Sequence, residues 1–241
     1  MLVWNTKFSV FYISTAILAI TFLLLDIKAG FYLFNLMTVP ILVLGLLLKF
    51  KKNPHPLMSL MIVASIFSFA GDLLMLLEIE ESMFKTIGIC TFIVAQTCYG
   101  LLYYFSTQFT EQNIKPSLVK RWPELIALIV LGIYASVVLE YTNEFFLPGL
   151  LYSFFGVSTF ILALNRRFFV SQRSFILVFI GAFLFILSAS LTGFDMYATN
   201  KISYAVAILL YAGGHYFCSF GILSQIEEII HKEVPEKSIF E

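Results

Sequence analysis

The segment Ser65-Ile66-Phe67-Ser68-Phe69-Ala70-Gly71-Asp72-Leu73-Leu74-Met75-Leu76-Leu77 carries one carboxylate well inside a long apolar run. Asp72 is the only Asp or Glu so placed in the chain. A carboxylate at membrane depth is costly unless it is paired, protonated or wetted, so by default it marks a functional site. In a helix, Ser65 and Ser68 share the face of Asp72, and Gly71 lets another backbone come close. A carboxyl kept from bulk water is a candidate general acid. The plainer alternative is a lone Asp hydrogen-bonded to a neighbouring helix, holding a bundle together.

Other polar residues fall at helical spacing. Gln96, Tyr99 and Tyr103 form one stripe, Tyr204, Tyr211, His215 and Ser219 another, and Ser188 pairs with Thr192. His215, with Tyr and Gln neighbours, could hold water or accept a proton. Ser, Thr, Gln and His also tie membrane helices together, and that reading suits Ser158, Thr159 and Thr192 best. The chain has no HExxH, no GxSxG elbow and no Walker loop. His55 lies in a basic loop and His231 in the tail, so neither can join His215 at a centre. Neither a metal site nor a cofactor is expected, and a metal hydrolase is disfavoured.

The elements that must position these residues are membrane helices. The composition is 60% hydrophobic and only 12% charged, with a mean hydropathy of +0.92. Apolar runs long enough to cross a bilayer recur without the alternation of barrel strands. The fold class expected is therefore all-α, a polytopic transmembrane bundle of eight helices forming one domain over residues 1–241. The spans are about 8–25, 31–48, 57–77, 86–105, 123–141, 146–164, 174–194 and 203–224. The first run is too long for the core of a signal peptide and is followed by more hydrophobic sequence, so it reads as a mature helix. The tail from Gln225 onward reads as a solvated, frayed helix.

Formal net charge is zero, which leaves no footprint for nucleic acid. Cys90, Cys98 and Cys218 all lie in apolar runs and read as packing residues. Lys7, Lys49, Lys51, Lys52, Lys115, Lys120, Arg121, Arg166, Arg167, Arg173, Lys232 and Lys237 fall on the side of the termini, and only Lys28, Lys85 and Lys201 fall opposite. The positive-inside rule then predicts cytoplasmic N- and C-termini. The opposite loops are short and mostly acidic (Glu78, Glu80, Glu81, Glu140, Glu144).

At ~1.5 Å per residue, Asn35 lies roughly 6 Å below the outer boundary, Asp72 about 8 Å, Ser188 and Tyr152 about 9 Å, Tyr211 about 12 Å, Gln96 about 15 Å and His215 about 18 Å. Polar groups thus crowd the outer half of the bundle, while the inner half is almost uniformly Leu, Ile, Val and Phe. The distribution predicts a pocket open to the outer face and closed below. A faint echo relates Ala70-Gly71-Asp72 to Leu187-Ser188-Ala189, and Ala95-Gln96 to Gly214-His215, at nearly equal offsets. It is compatible with a 4+4 internal duplication.

Gly71-Asp72, Phe92 through Gln96 to Tyr99, Gly181-Ala182-Phe183-Leu184-Phe185 ending in Ser188, and Tyr211 to His215 resemble, in order and spacing, the YhhN-like lysoplasmalogenase family. Asn35 to Pro40 and Pro148 to Tyr152 fit its weaker motifs. The resemblance spans nearly the whole chain. It implies a membrane-embedded hydrolase that cleaves the vinyl ether bond of lysoplasmalogen-type lysophospholipids to a fatty aldehyde and a glycerophospho-alcohol. On that reading Asp72 is the catalytic acid and His215, also a catalytic candidate, helps to position or activate water, with Asn35, Gln96, Tyr99, Tyr152, Ser188 and Tyr211 as the substrate-binding candidates. The partners implied are a lysophospholipid substrate and membrane lipid.

Four positions depart from the family pattern. Ala189 stands where a second Asp is usual, Gln96 where a His is, Asn35 where a Lys is, and His215 where a Gln is. The Gln96 and His215 changes look like one imidazole exchanged between two helices. Ala189 has no visible replacement, which leaves open a non-catalytic lipid-binding or lipid-moving protein of the same fold. A small-solute transporter is the third reading, although no span has the broken midpoint of a discontinuous helix.

Overall fold

The computed structural model describes residues 3–76, 82–109, 117–140, 145–195 and 200–237. Leu77, Glu78, Glu80, Glu81, Lys115, Tyr141 and Glu144, assigned above to span ends and loops, lie outside the described residues. The fold is all-helical: α1 (Thr6–Leu24), α2 (Lys28–Lys52), α3 (Pro56–Leu76), α4 (Ser82–Ser106), α5 (Trp122–Leu139), α6 (Phe146–Asn165), α7 (Gln172–Asp195) and α8 (Lys201–Lys237). Seven of these, all but α5, are long and apolar enough among the described residues to cross a membrane. The expected spans therefore correspond one to one with helices. The protein is a multi-pass membrane protein.

Contacts between ends show that α1 runs antiparallel to both α2 and α8. Asp26, after α1, forms an ion pair with Lys201, the first residue of α8. At the other end of the bundle Lys49 of α2 donates to the Val3 carbonyl ahead of α1 (3.1 Å). Outward faces carry exposed Val10, Phe11, Leu44, Leu48, Ile129 and Ile133, the surface a helix presents to lipid. α1 is pinned inward by its side chains: Tyr12 Oη donates to the Ala212 carbonyl (2.9 Å), and Trp4 Nε1 to Ser219 Oγ (3.0 Å).

α7 and α8 make the most intimate pair. Lipid tails are as apolar as Leu, so membrane helices gain by close backbone approach at small residues, and glycines supply it here. A Cβ on Gly181 would stand 2.5 Å from Cys218 Sγ, 2.7 Å from the Cys218 backbone nitrogen and 2.9 Å from the Gly214 carbonyl oxygen. A Cβ on Gly221 would stand 2.7 Å from Val178 Cγ2 and 3.0 Å from the Ser174 carbonyl oxygen.

Two features of the terminal end overturn the sequence reading. α8 does not fray at Gln225. It continues to Lys237, and Gln225 and Ile226 are buried. At ~1.5 Å per residue such a helix outruns the ~30 Å hydrocarbon layer, so its last turns project beyond it. Nor is this half purely aliphatic. Arg166, counted above among the loop cations, is 0% exposed. Its Nε donates to Ser106 Oγ (2.8 Å). One terminal nitrogen, Nη2, donates to Ser174 Oγ (2.9 Å) and Gln225 Oε1 (2.7 Å). Gln225 Nε2 in turn donates to the Ser106 carbonyl (2.6 Å). The cluster ties the terminal ends of α4, α6 and α7 to α8 with neutral partners alone. A buried charge is tolerated only when it is so bonded, which is why Gln225 stays inside the bundle.

α5 is held differently. Most of its side chains are exposed and it packs chiefly on α6. Its start is clamped by Arg167, whose two nitrogens bond both oxygens of Glu124 at 2.8 Å.

Two outcomes follow for detergent-solubilised protein, read by thermal unfolding. Gly181→Ala should cost about 1–3 kcal/mol, because two of the three nearest atoms in its way are backbone and cannot yield. Gln225→Leu should cost about 1.5–3 kcal/mol, because it strips a charged donor of its acceptor inside the bundle. Stability equal to wild type in either variant would show that the contact carries no weight.

Candidate functional site

A cavity of about 660 Å³ occupies the half of the bundle opposite the termini. That volume lies within the ~300–1,000 Å³ usual for small-molecule sites. Of the eight site residues expected from sequence, seven line it: Asn35, Asp72, Gln96, Tyr99, Tyr152, Ser188 and Tyr211. They come from α2, α3, α4, α6, α7 and α8, so one helix alone would present only a polar stripe. The rest of the wall is mainly apolar, with Phe92, Phe185 and Ile186 among it.

Asp72 sits a turn short of the end of α3, on the face shared with Ser65 and Ser68. Its Oδ2 accepts a hydrogen bond from Tyr211 Oη of α8 (2.9 Å). No second hydrogen bond to the carboxyl is present among the described residues, which leaves Oδ1 to the cavity. The Tyr211 hydroxyl also meets the Ser68 side chain. Gly71, next to the acid, lies against Phe92: a Cβ there would stand 2.8 Å from that ring. The small residue thus lets α4 close over the acid.

His215 is placed otherwise. It is 0% exposed and does not line the cavity. Its Nδ1 is 2.9 Å from Tyr99 Oη, and Nε2 has no hydrogen-bond partner among the described residues. The ring is walled in edge-on by Phe185 and Tyr211, with centroids 4.8 and 4.6 Å away. The imidazole is therefore separated from the cavity by the wall residues Tyr99, Phe185 and Tyr211. Asp72 and His215 make no direct contact, in keeping with their different depths. Tyr211 spans the gap, its hydroxyl on the carboxyl and its ring edge-on to the imidazole. Tyr99 Oη is also 3.4 Å from Ser65 Oγ.

The remaining polar residues divide by use. Tyr152 and Gln96 lie in the cavity wall with their side chains next to each other. Ser188 lines the cavity but donates its hydroxyl to the Ala207 carbonyl (2.8 Å), joining α7 to α8. Thr159 likewise ties α6 to the Gln96 carbonyl (2.9 Å). Ser158 and Thr192 donate to carbonyls of their own helices. Tyr103 is buried against Cys218 and takes no part in the wall.

Sequence reasoning passed over Asn200 and Lys201 at the rim, Tyr134 and Ala135 on α5, and Gly149, Ser153 and Gly156 on α6. Lys201 had been read only as a loop charge. The small residues of α6 have no polar signature and show themselves only as an i, i+3/i+4, i+7 run. Ala189 also lines the cavity, so the position where an acid is usual faces the site with a methyl group. Among the described residues no three His, Cys, Asp or Glu side chains cluster as a metal site would require.

Fold and site together define a multi-pass helical membrane protein with a largely apolar chamber around one carboxyl. Comparison with known families narrows this class. The model of the YhhN family matches residues 30–222. The chain belongs to the YhhN family. No match to a curated protein or to a solved structure was found.

The bond between Asp72 and Tyr211 can be measured. In a double-mutant cycle of Asp72→Leu and Tyr211→Phe, unfolding in detergent should show a coupling of about 0.5–3 kcal/mol. Strict additivity would mean that the two side chains do not interact.

Proposed function

We propose that the protein is a membrane-embedded hydrolase that cleaves the vinyl ether bond of lysoplasmalogen-type lysophospholipids, releasing a fatty aldehyde and a glycerophospho-alcohol. The observation that carries this reading is a carboxyl with one free oxygen in the wall of a chamber that is otherwise apolar. Membership of the YhhN family supports it. On the distribution of basic residues, both termini are cytoplasmic and the chamber opens toward the opposite side.

The chemistry needs an acid that gives a proton to carbon. Protonated Asp72 donates to the alkenyl carbon remote from the ether oxygen. The carbon bonded to oxygen becomes an oxocarbenium centre. Water adds there and returns a proton to the Asp72 carboxylate. The resulting hemiacetal collapses: its hydroxyl proton passes to the glycerol oxygen, the C–O bond breaks, and aldehyde and alcohol separate. One water is consumed and the acid is regenerated, so a single carboxyl can act first as donor and then as acceptor. Glycoside hydrolysis distributes these tasks over two carboxyls. Ala189 removes the second acid in this chain, and the one-acid cycle does not need it.

Tyr211 holds the Asp72 carboxyl at a fixed angle to the chamber. Gln96, Tyr99 and Tyr152 offer hydroxyl and amide groups that can seat the water, with Asn35 beside them. His215 does not reach the water. It sets the orientation of the Tyr99 hydroxyl from behind and is a positioning residue. Ser188 shapes the wall by tying α7 to α8.

Ala189 also favours a second reading, a lipid-binding or lipid-moving protein that kept the chamber without the chemistry. One assay decides between them. Purified protein is given a lysoplasmalogen or its saturated ether analogue, and aldehyde is measured. Release from the vinyl ether alone, abolished in Asp72→Asn, is the expected result. Tight binding of both lipids without aldehyde would establish the second reading instead.

A further inference from the structure

We infer that the hydrocarbon chain of the ligand lies in the arm of the chamber between α5 and α6, and that Gly156 sets the length of chain this arm accepts. The inference rests on the reading above in one respect only, that the ligand is a single-chain amphiphile.

The wall of the chamber is unevenly built. Most of its polar side chains come from α2, α3, α4, α7 and α8, while α6 adds Tyr152 and Ser153 and α5 adds Tyr134. On the far side Leu131 and Ala135 of α5 face Gly149, Gly156 and Val157 of α6. These five residues offer no side-chain hydrogen bond, and apart from Tyr134, Tyr152 and Ser153 this side of the wall is apolar, so it suits an alkyl chain. Beyond it α5 is a wall one helix thick, with Ile129 and Ile133 61% and 63% exposed on its outer side. The arm therefore borders the lipid layer from which a single-chain amphiphile would come.

Gly156 differs from the glycines that bring helices together. At Gly71, Gly181, Gly214 and Gly221 an added Cβ would meet an atom at 2.5–2.8 Å. At Gly156 it would meet nothing within 4 Å. Glycine weakens a helix relative to alanine and here gives no close packing in return. What it leaves is volume, and that volume belongs to the chamber, because Gly156 lines it. Gly132 of α5 also has nothing within 4 Å, but it does not line the chamber. It is the natural control for an added side chain that stays clear of the arm.

The test uses full-length protein in lipid nanodiscs and the saturated ether analogues of a lysophospholipid, from short to long chains. These cannot release aldehyde, so binding is read apart from catalysis. Gly156→Leu should bind the longest chains roughly tenfold more weakly, as if about two methylenes were turned out of the arm. It should bind the shortest chains as wild type does. Gly156→Ala should fall between, and Gly132→Leu should match wild type at every length. Equal affinity at every length in Gly156→Leu overturns the inference, and so does a loss that is uniform across lengths in both Gly156 variants. Aldehyde release from wild type with unchanged chain preference in Gly156→Leu would sink this inference and leave the hydrolase intact. The predicted length dependence without aldehyde release would do the reverse.

Discussion

A carboxyl carried into the hydrocarbon layer has to be met there by a donor, and in this protein the donor is the hydroxyl of Tyr211. The bond joins α3 to α8 across the chamber and determines what lies around it. Gly71 must stay small so that Phe92 can pass beside the acid. Tyr211 must stand clear of its own helix, and the small residues of the α7–α8 contact bring that helix into place. At the other end a single cation, Arg166, is buried with the same economy. The two charges do not pair. Tyr211 and Gln225, their respective partners, lie fourteen residues apart on α8, about 21 Å along its axis. Each charge is met by neutral groups, so the acid keeps an oxygen for other work. A direct ion pair would have consumed it.

α8 is thus the spine of the molecule. It carries the rim lysine, the tyrosines of the chamber, the sealed histidine, the serine that receives Trp4, and the glutamine that holds Arg166. α5 is its opposite, exposed along most of its length and clamped at one end by Glu124 and Arg167. The well-packed α8 carries much of the polar part of the site, and the exposed α5 forms a thin wall opposite it. That division suits a ligand whose reactive end must be held and whose chain need only be accommodated.

The imidazole shows how position changes role. As a residue type, His215 invites assignment to acid–base work. In the fold it is closed in by Phe185, Tyr211 and Tyr99, which separate it from the chamber. A histidine on α4 at the place of Gln96 would line the chamber itself. Moving the ring to α8 therefore converts a group that could touch ligand into one that braces a tyrosine.

From sequence alone, hydropathy and length determined that the chain is a bundle of eight helices, because a backbone in lipid must satisfy itself within each segment. The cost of an intramembrane acid singled out Asp72, and helical spacing put Gln96 with Tyr99 and Ser65 with Ser68 on common faces. Spacing does not say which face meets which. Only the tertiary structure brought all eight helices around one cavity, gave Tyr211 to Asp72, and placed His215 behind the wall. It also drew Arg166 and Gln225, which composition assigns to loops and tail, into the interior. Their burial depends on four helices arriving together at one point, and local sequence carries no record of that meeting. Residues that act by being small, such as Gly156, are legible only once the space they leave can be seen.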